Sequence, residues 1–219
     1  MKSARLGESE VLQFSSNRWK QNCFVLIGDG SASCVVVDPG YDGEAIVEAI
    51  STRGLTVVAI LATHAHHDHI ASTALVQSRF GDPPFYFHPD DSKTLRTAHS
   101  YAMLLEAEAF APPRAHQKLS DGDRLHLAGY EIKVHHAPGH SPGGCVFEVR
   151  GALFTGDMFI KEAREARRPG SNPDELHASR KRVFDEFSAG TVVFPGHGRP
   201  TTLGELERRF FSEVRVIAP

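Results

Sequence analysis

The sequence is poor in cysteine and tryptophan and contains no long apolar run. Its three cysteines form no CxxC pair, and each lies in an apolar stretch that is typical of a strand. We therefore expect Cys23, Cys34 and Cys145 to be buried, reduced thiols and neither ligands nor nucleophiles. No stretch approaches the roughly 20 apolar residues of a membrane span, and the first residues lack the apolar segment of a secretory signal. These absences predict a cytoplasmic protein without a membrane partner.

Strong charge is also lacking. The net charge of -3, with no evident extended basic arm, argues against nucleic acid as a partner. A length of 219 residues, of which 41% are hydrophobic, predicts one folded domain over residues 1–219. Histidine, in contrast, is abundant, with 13 residues against a single tryptophan. The positions of these imidazoles therefore carry most of the functional information.

Strands and helices follow each other in both halves of the chain. Apolar, β-branched runs predict strands at 23–27, 34–37, 57–61, 85–87, 124–127, 130–135, 144–149, 152–155 and 191–194. Helical spacing predicts helices over 45–50, 70–80, 91–110, from 173 onward and over 203–211. We expect the first two of these strands to pair antiparallel and the strands after 124 to form an antiparallel meander. This order predicts the α/β class, as a four-layered αβ/βα sandwich of two mixed sheets with helices on the outer faces.

Histidines are concentrated directly after the buried strand at 57–61. His64, His66, Asp68 and His69 have the spacing H-x-H-x-D-H, so one loop can direct several ligands into one space. Imidazole and carboxylate suit Zn²⁺, Fe or Mn²⁺, and the lack of thiolate argues against a structural zinc knot. The run therefore predicts a metal site with catalytic character.

Three later loops add ligands of the same kind. His140 lies in a Pro-Gly-His loop between two strands, Asp157 ends the next hairpin, and His197 follows a strand in a second Pro-Gly-His sequence. Together with the first run they supply five histidines and two aspartates at loop positions after strands. This number is enough for two metals that keep coordination sites open for water and substrate.

The ordered series resembles the metallo-β-lactamase superfamily over essentially the whole chain, and most closely its small glyoxalase II-like (hydroxyacylglutathione hydrolase-like) members. The resemblance implies two divalent ions, with Zn²⁺ expected first and Fe or Mn as alternatives. Metal one would be held by His64, His66 and His140, metal two by Asp68, His69 and His197, with Asp157 bridging them. The resemblance also places such a bridging carboxylate in the thioesterase, lactonase and nuclease branches and not in antibiotic-degrading enzymes.

Two divalent ions roughly 3.5–4 Å apart can share one water and lower its pKa to about 7. The expected function is therefore hydrolysis, in which a metal-bridging hydroxide attacks the carbonyl of a small acyl-thiol or related ester. Asp68 is the candidate catalytic residue as well as a ligand, because its metal would orient the hydroxide and receive the leaving group. A thiol with a pKa of about 8.5 leaves without a strong general acid, which favours thioesters.

Two further side chains are candidates for contacts behind the metal ligands. Asp38 ends a strand before Pro39 and Gly40, so it is first a turn former, and its position leaves a role in orienting a ligand open. His136 precedes the loop of His140, and either a hydrogen bond to a ligand or ordinary strand packing explains it. Apolar side chains over 100–110 indicate core packing, with a lid or a homodimer surface as the functional alternatives.

Other reactions are compatible with the same ordered series of histidines and aspartates. Persulfide dioxygenases resemble it too, but use one iron held by residues matching His64, His140 and Asp157. Lactone hydrolysis would use the same two metals and hydroxide, whereas nuclease activity is disfavoured by the acidic charge. Glyoxalase II enzymes carry a C-terminal helical domain that holds glutathione, and few residues follow His197 here. The resemblance therefore implies no glutathione-binding residue and leaves the thiol carrier undefined.

Overall fold

The computed structural model describes residues 1–7, 9–114, 116–160 and 170–211. One sheet contains strands in chain order: β1 (Lys2–Leu6), β2 (Ser9–Phe14), β3 (Cys23–Ile27), β4 (Ser33–Val37), β5 (Thr56–Leu61), β6 (Phe85–Phe87) and β7 (His116–Lys118). Pairing is antiparallel from β1 to β4 and parallel from β4 to β7, so the sheet is mixed. The predicted antiparallel pairing of β3 with β4 is confirmed.

The second sheet is built from the later part of the chain. It contains β8 (Arg124–Leu127), β9 (Tyr130–His136), β10 (Cys145–Val149), β11 (Ala152–Gly156), β12 (Val192–Pro195) and β13 (Thr201–Thr202). Strands β8 to β11 form the predicted antiparallel meander. Strand β12 then pairs parallel with β11 and antiparallel with β13, so this sheet is mixed as well.

Helices lie between and after these strands. They are α1 (Gly43–Thr52), α2 (His67–Ile70), α3 (Thr73–Arg79), α4 (Ser92–Leu104), α5 (Pro173–Glu186) and α6 (Leu203–Phe211). In the part of the chain that the structure describes, no helix combines the length and apolarity needed to cross a membrane.

The burial pattern of the strands creates four layers. In β3, Phe24 faces the core between the two sheets, where it meets Phe154 of the second sheet, whereas Cys23 faces the helices on the outside. A third apolar cluster, which includes Leu176 and Leu206, lies between the second sheet and helices α5 and α6. Strands β3, β4 and β5 of the first sheet are thus covered on both faces, which explains their continuous apolar sequence. The predicted αβ/βα sandwich is confirmed.

Helix α4 is shorter than predicted. The pattern over 91–110 predicted one helix, but α4 ends at Leu104, and Glu106 has a left-handed backbone with φ 53°. The amide of Ala107 donates to the carbonyl of Ala102 and closes the helix end. Leu104 is 80% exposed, so the apolar pattern that suggested a longer helix does not mark a buried face here.

The three thiols are buried and form no disulfide, as predicted. Burial raises the pKa of Cys34 to about 12 and also raises the pKa of Cys23 and Cys145. Cys145 additionally has its Sγ 3.5 Å from the carbonyl oxygen of Gly143. These thiols therefore stay protonated at neutral pH and serve packing.

The strand directions bring the predicted ligands to one edge of the sandwich. Asp38 follows β4, the first histidine run follows β5, Asp157 follows β11, and His197 follows β12. Because β4 and β5 are parallel, as are β11 and β12, the residues that follow each pair emerge at the same edge. The amide of Cys145 donates to the carbonyl of Thr63 at 2.7 Å and joins the two sheets there.

Candidate metal centre

A first group of imidazoles comes from both sheets. Ligating atoms of His64, His66 and His140 all lie within 4.8 Å of one another, and the three residues are buried. The Nδ1 of His66 is 3.0 Å from the Nε2 of His140. In His64, Nδ1 lies 3.0 Å from the Thr63 hydroxyl, and the other ring nitrogen, Nε2, is buried without a hydrogen-bond partner among the described residues.

A second group lies beside the first. Ligating atoms of Asp68, His69 and His197 are also within 4.8 Å of one another. The Nε2 of His197 is 3.4 Å from Oδ2 of Asp68. The other carboxylate oxygen, Oδ1 of Asp68, is buried and has no hydrogen-bond partner in the described part of the chain. The two groups match the two ligand sets that the sequence resemblance implied.

Asp157 lies between the two groups. Its Oδ2 is 3.4 Å from Nε2 of His140 in the first group. Its Oδ1 is 3.3 Å from Nε2 of His69 and 3.4 Å from Nε2 of His197 in the second. One buried carboxylate thus directs one oxygen to each group, which is the placement that a bridging ligand requires.

These separations fit divalent metal ions. Two ligand atoms that each lie 2.0–2.1 Å from a tetrahedral zinc are about 3.3 Å apart. The observed separations of 3.3 and 3.4 Å around Asp157 agree with that value. Buried polar atoms without a hydrogen bond are costly, and the Nε2 of His64 and Oδ1 of Asp68 are both of this kind. The residues therefore fit a pair of metal ions.

The electrostatics of the two groups differ. Burial, reinforced by His69, His66 and His140, holds the pKa of His64 well below its usual value, so this imidazole is neutral, as a metal ligand must be. Burial opposes the charge of His197 as well, but the Asp157 carboxylate more than compensates and raises the pKa of His197 to about 9. Asp157 and Asp38 raise the pKa of His69 in the same way. A divalent ion binding the second group would displace protons from these two imidazoles.

Asp38 contacts the second group from behind. Its Oδ2 lies 2.9 Å from Nδ1 of His69, whose opposite nitrogen faces Asp157. The same carboxylate accepts hydrogen bonds from the amide and the hydroxyl of Thr63, at 2.7 and 2.6 Å. Asp38 adopts this position with a left-handed backbone, φ 51°, which is strained for a residue with a side chain. The geometry supports the orienting role that the sequence left open for Asp38.

His136 contacts the loop of His140 and not the imidazole of His140. Its Nε2 donates to the carbonyl of Pro142 at 2.9 Å, and its ring stacks on His88 with 3.8 Å between centroids. His136 therefore supports the backbone of the ligand loop. His88, His136 and Asp90 also form a further group with mutually close ligating atoms, although Asp90 is exposed.

Asp91 is an orienting residue that the sequence did not reveal. It is fully buried, and its Oδ2 accepts from the amide of Ala65 at 2.8 Å and from the hydroxyl of Ser141 at 3.0 Å. Its Oδ1 accepts from the amide of Gly143 at 2.8 Å. One carboxylate thus joins the loop of His64 and His66 to the loop of His140. Its place after Pro89 and Asp90 resembles an ordinary helix start, so no sequence signal distinguishes it.

The loop before β3 supports His197. The side-chain amide of Asn22 donates to the carbonyls of Pro195 and Gly198, both at 2.8 Å, and its backbone amide donates to Gly196. The carbonyl of Trp19 lies 3.1 Å from Nδ1 of His197. Gln21 and Asn22 are both fully buried, but polar residues directly before a strand are common, so the sequence alone does not indicate this role.

Close backbone packing at Gly196 brings the second group together. A Cβ at this position would lie 2.3 Å from Oδ1 of Asp157 and 2.8 Å from Cε1 of His69. The amide of Gly196 also donates to the carbonyl of Gly156 at 2.7 Å. Only glycine leaves room for the aspartate and the imidazole to approach each other here.

Comparison with known proteins agrees with this geometry. The family model described as the metallo-beta-lactamase superfamily matches residues 17–197. The hydroxyacylglutathione hydrolase GloC of Haemophilus influenzae is 26% identical, over 87% of this chain and 91% of its own length.

Two solved structures share the fold over nearly their full length. TTHA1623, crystallised in a di-iron-bound form, is 34% identical with a TM-score of 0.78, covering 90% of this chain and 97% of its own. The B3 metallo-beta-lactamase BLEG-1 is 28% identical with a TM-score of 0.82, covering 94% of this chain and 99% of its own. A protein named as a β-lactamase and one named as a hydroxyacylglutathione hydrolase are thus both similar to this chain, so similarity alone does not specify the substrate.

Proposed function

The chain belongs to the metallo-β-lactamase superfamily, and from this membership we propose that it is a dinuclear metal-dependent hydrolase that cleaves small acyl-thiol esters. The observation that carries the proposal is the position of Asp157, whose two carboxylate oxygens face two separate groups of imidazoles. Hydrolysis adds water to the carbonyl carbon and breaks the carbon–sulfur bond, so the products are a carboxylic acid and a thiol. The proposed reaction needs no redox cofactor.

The residues have distinct tasks in this proposal. One ion would be held by His64, His66 and His140, the other by Asp68, His69 and His197, and Asp157 would contact both. Divalent ions at such positions supply a water of lowered pKa and an electrostatic partner for the developing negative charge. Zinc, iron and manganese all suit nitrogen and oxygen ligands, and the di-iron form of TTHA1623 supports iron beside zinc.

Asp38 and Asp68 have complementary roles. Asp38 fixes the ring of His69 through Nδ1, which leaves the opposite nitrogen for the metal. Burial opposes ionisation of Asp68, but the hydrogen bond with His197 and the charge on His69 keep its pKa below the usual range. Asp68 is therefore an anion at neutral pH, as a metal ligand next to the reacting water must be.

Several features support a thioester over other substrates. Cys145 lines a small cavity together with His64 and His140, but burial raises the pKa of its thiol, so it does not act as a competing nucleophile. A thiol leaves readily because its pKa is about 8.5, and no separate general acid is needed. Similarity to GloC, whose name denotes hydrolysis of a hydroxyacyl-glutathione, supports the same bond class.

The test is a substrate panel with protein loaded with zinc, iron or manganese. Hydrolysis of hydroxyacyl-glutathione, acyl-coenzyme A and acyl-N-acetylcysteamine is measured by the amount of thiol released. A lactone and a cephalosporin are included because lactonases share the chemistry and BLEG-1 shares the fold. We expect thioester turnover that falls about 10²- to 10³-fold in Asp157→Asn, since removing one preorganised electrostatic group costs this much. The surface variant Asp185→Asn, on α5, serves as the matched control and should keep full activity.

The outcomes separate the alternatives. Turnover of the lactone or the cephalosporin with no thioester turnover would replace the proposed substrate class and keep the hydrolase. A single iron per chain, with oxygen uptake in the presence of a thiol persulfide, would favour a persulfide dioxygenase. The single-iron result is not expected, because the second group, Asp68, His69 and His197, is as closely assembled as the first.

A further inference from the structure

We propose that the cavity between α4 and the metal centre, here called the α4 cavity, binds the acyl arm of the substrate and selects an uncharged, apolar chain. This inference rests on the hydrolase function proposed above. It goes further by assigning the two ends of the thioester to different places. The acyl arm would enter the α4 cavity, and the thiol carrier would remain at the solvent side.

The α4 cavity adjoins the predicted ligands and has room for a substrate arm. Its volume is about 420 Å³, and His66 of the first ligand group forms part of its wall. At ~30 Å³ for each water-sized group, this space accommodates on the order of a dozen non-hydrogen atoms. A carbonyl held near the metal centre could therefore extend a medium-length chain into it.

The walls of the cavity favour apolar contact. Ala98, Tyr101, Leu104 and Pro142 supply apolar surface, and Thr97 adds a methyl group. Side chains of this type stabilise a bound hydrocarbon by removing it from water.

The charges around the cavity do not favour a charged arm. Among the described residues that line it, Asp90 and Lys93 have opposite signs and lie together at the start of α4. Their opposite charges largely cancel for a ligand between them. Glutathione and coenzyme A both carry several charges, so burying either one here would lose solvation without a matching partner. The acyl arm is the end of the thioester that fits.

The wall formed by α4 is held in a defined position. Arg18 donates to the carbonyls of Leu105 and Glu106, at 3.1 and 2.8 Å, which fastens the end of α4 to the loop that supports His197. The ring of Tyr101 packs at a tilt against the ring of His67, with 6.0 Å between the centroids. The cavity is therefore formed before a ligand binds, as small-molecule sites usually are.

The exposed side chains of α4 provide matched variants. Leu104 lines the cavity, whereas the next residue towards the N-terminus, Met103, does not. Both are exposed, by 80% and 54%, so truncation of either should leave stability nearly unchanged. Thr97 is exposed and lines the cavity, so Thr97→Phe fills it without disturbing the core.

The first measurement is kcat/KM for N-acetylcysteamine thioesters with acyl chains of increasing length from acetyl to decanoyl. The wild-type value should rise two- to fourfold per added methylene, by the transfer free energy of that group, until the cavity is full. Leu104→Ala and Thr97→Phe should lower kcat/KM for octanoyl at least fivefold and leave acetyl unchanged. Met103→Ala should match the wild type. No dependence on chain length, or an equal effect of the Leu104 and Met103 variants, would overturn the proposal.

The second measurement is independent of turnover. Octanamide, an uncharged probe, is titrated while the fluorescence of Trp19 is recorded, because this single tryptophan packs edge-on against His67 of the cavity wall at 4.9 Å. Binding that weakens at least fivefold in Leu104→Ala, and not in Met103→Ala, supports the cavity even if no thioester is hydrolysed. Thioester turnover without octanamide binding would overturn the cavity assignment while the hydrolase stands.

Discussion

At the scale of single residues, the orientation of His69 depends on Asp38. Asp38→Asn keeps the shape and tolerates the left-handed backbone, but its amide no longer offers a carboxylate to Nδ1 of His69. We expect the affinity for Zn²⁺ to fall 10- to 100-fold, as with other residues behind metal ligands, while the fold is retained. Competition with a chromophoric chelator measures this.

The control for this variant is Asp82→Asn. Asp82 has the same left-handed backbone, φ 54°, but lies on the surface in an ion pair with Arg114. Zinc affinity in Asp82→Asn should equal that of the wild type. If Asp38→Asn also binds zinc with wild-type affinity, then Asp38 only forms the turn.

Asp91 offers a second test at this scale. The two carboxylate oxygens of Asp91 accept hydrogen bonds from Ala65, Ser141 and Gly143. In Asp91→Asn, an NH2 group takes the place of one of these oxygens and cannot accept a hydrogen bond. We expect the free energy of unfolding of chelator-treated protein to fall by about 1–3 kcal/mol, since a buried N–H loses its acceptor. Urea unfolding measures this change without a contribution from bound metal.

The neighbouring residue provides the comparison. Asp90 is 57% exposed at its side chain, so Asp90→Asn should change the unfolding free energy by less than about 0.5 kcal/mol. Equal effects of the two variants would show that Asp91 does not hold the ligand loops together.

Sequence reasoning singled out the seven predicted ligands because they lie in loops that have no other evident use for histidine. All seven of these residues come together at one edge of the sandwich. Asp91 and Asn22 escaped notice because their role depends on contacts with loops about 50 and 170 residues away along the chain. A single sequence does not record such contacts for residue types that are also common in turns and helix starts.

At the scale of elements, the loop after β12 must approach the loop after β11 without a side chain between them. Gly196→Ala would place a methyl group 2.3 Å from Oδ1 of Asp157. We expect this variant to retain the fold and to lose metal from the second group, because Asp157 and His69 must move apart. Metal content after dialysis measures the loss.

Gly190→Ala is the matched control for this substitution. Gly190 lies in the turn before β12, at the opposite end of the strand from Gly196, and a Cβ there would meet no atom within 4 Å. Its metal content should equal that of the wild type. Full metal content in Gly196→Ala would contradict the close approach of the two loops.

The elements themselves were only partly predictable. Long apolar strands such as β3, β4 and β5 were located correctly because they are buried on both faces. Strands β1, β2, β7 and β13 were missed. In β1, exposed charged residues interrupt the apolar pattern, and β7 and β13 are very short. The end of α4 was placed too late, because apolar residues such as Met103 and Leu104 are exposed there.

At the scale of the whole molecule, the buried thiols report on the integrity of the sandwich. A free thiol with a pKa of about 8.5 reacts about eightfold faster with iodoacetamide when the pH rises from 7 to 8, because its thiolate fraction rises by this factor. In the folded protein, burial raises the pKa of Cys34 to about 12, so its thiolate fraction remains negligible over this range. We expect alkylation of folded protein to be slow at both pH values and all three cysteines to react after unfolding. Rapid labelling of folded protein at pH 8, measured by mass spectrometry, would contradict the packing.

The arrangement of layers could be predicted from the sequence, whereas the substrate could not. Alternation of strands and helices and the apolar character of β3 to β5 are enough to indicate two covered sheets. The proposed acyl specificity rests on a cavity whose walls come from α4 and from the loops of His66 and Pro142. Only the assembled chain shows that these parts face one another.

We propose that Asp157 joins two metal sites in one chain. The most direct test is the metal content of chelator-treated protein reloaded with excess Zn²⁺ and desalted, for the wild type and Asp157→Ala, by plasma mass spectrometry. We predict about two zinc ions per wild-type chain, in keeping with the two ligand groups, and fewer in the variant while the circular dichroism spectrum is unchanged. One zinc ion or none in the wild type, or two in Asp157→Ala, would contradict the claim.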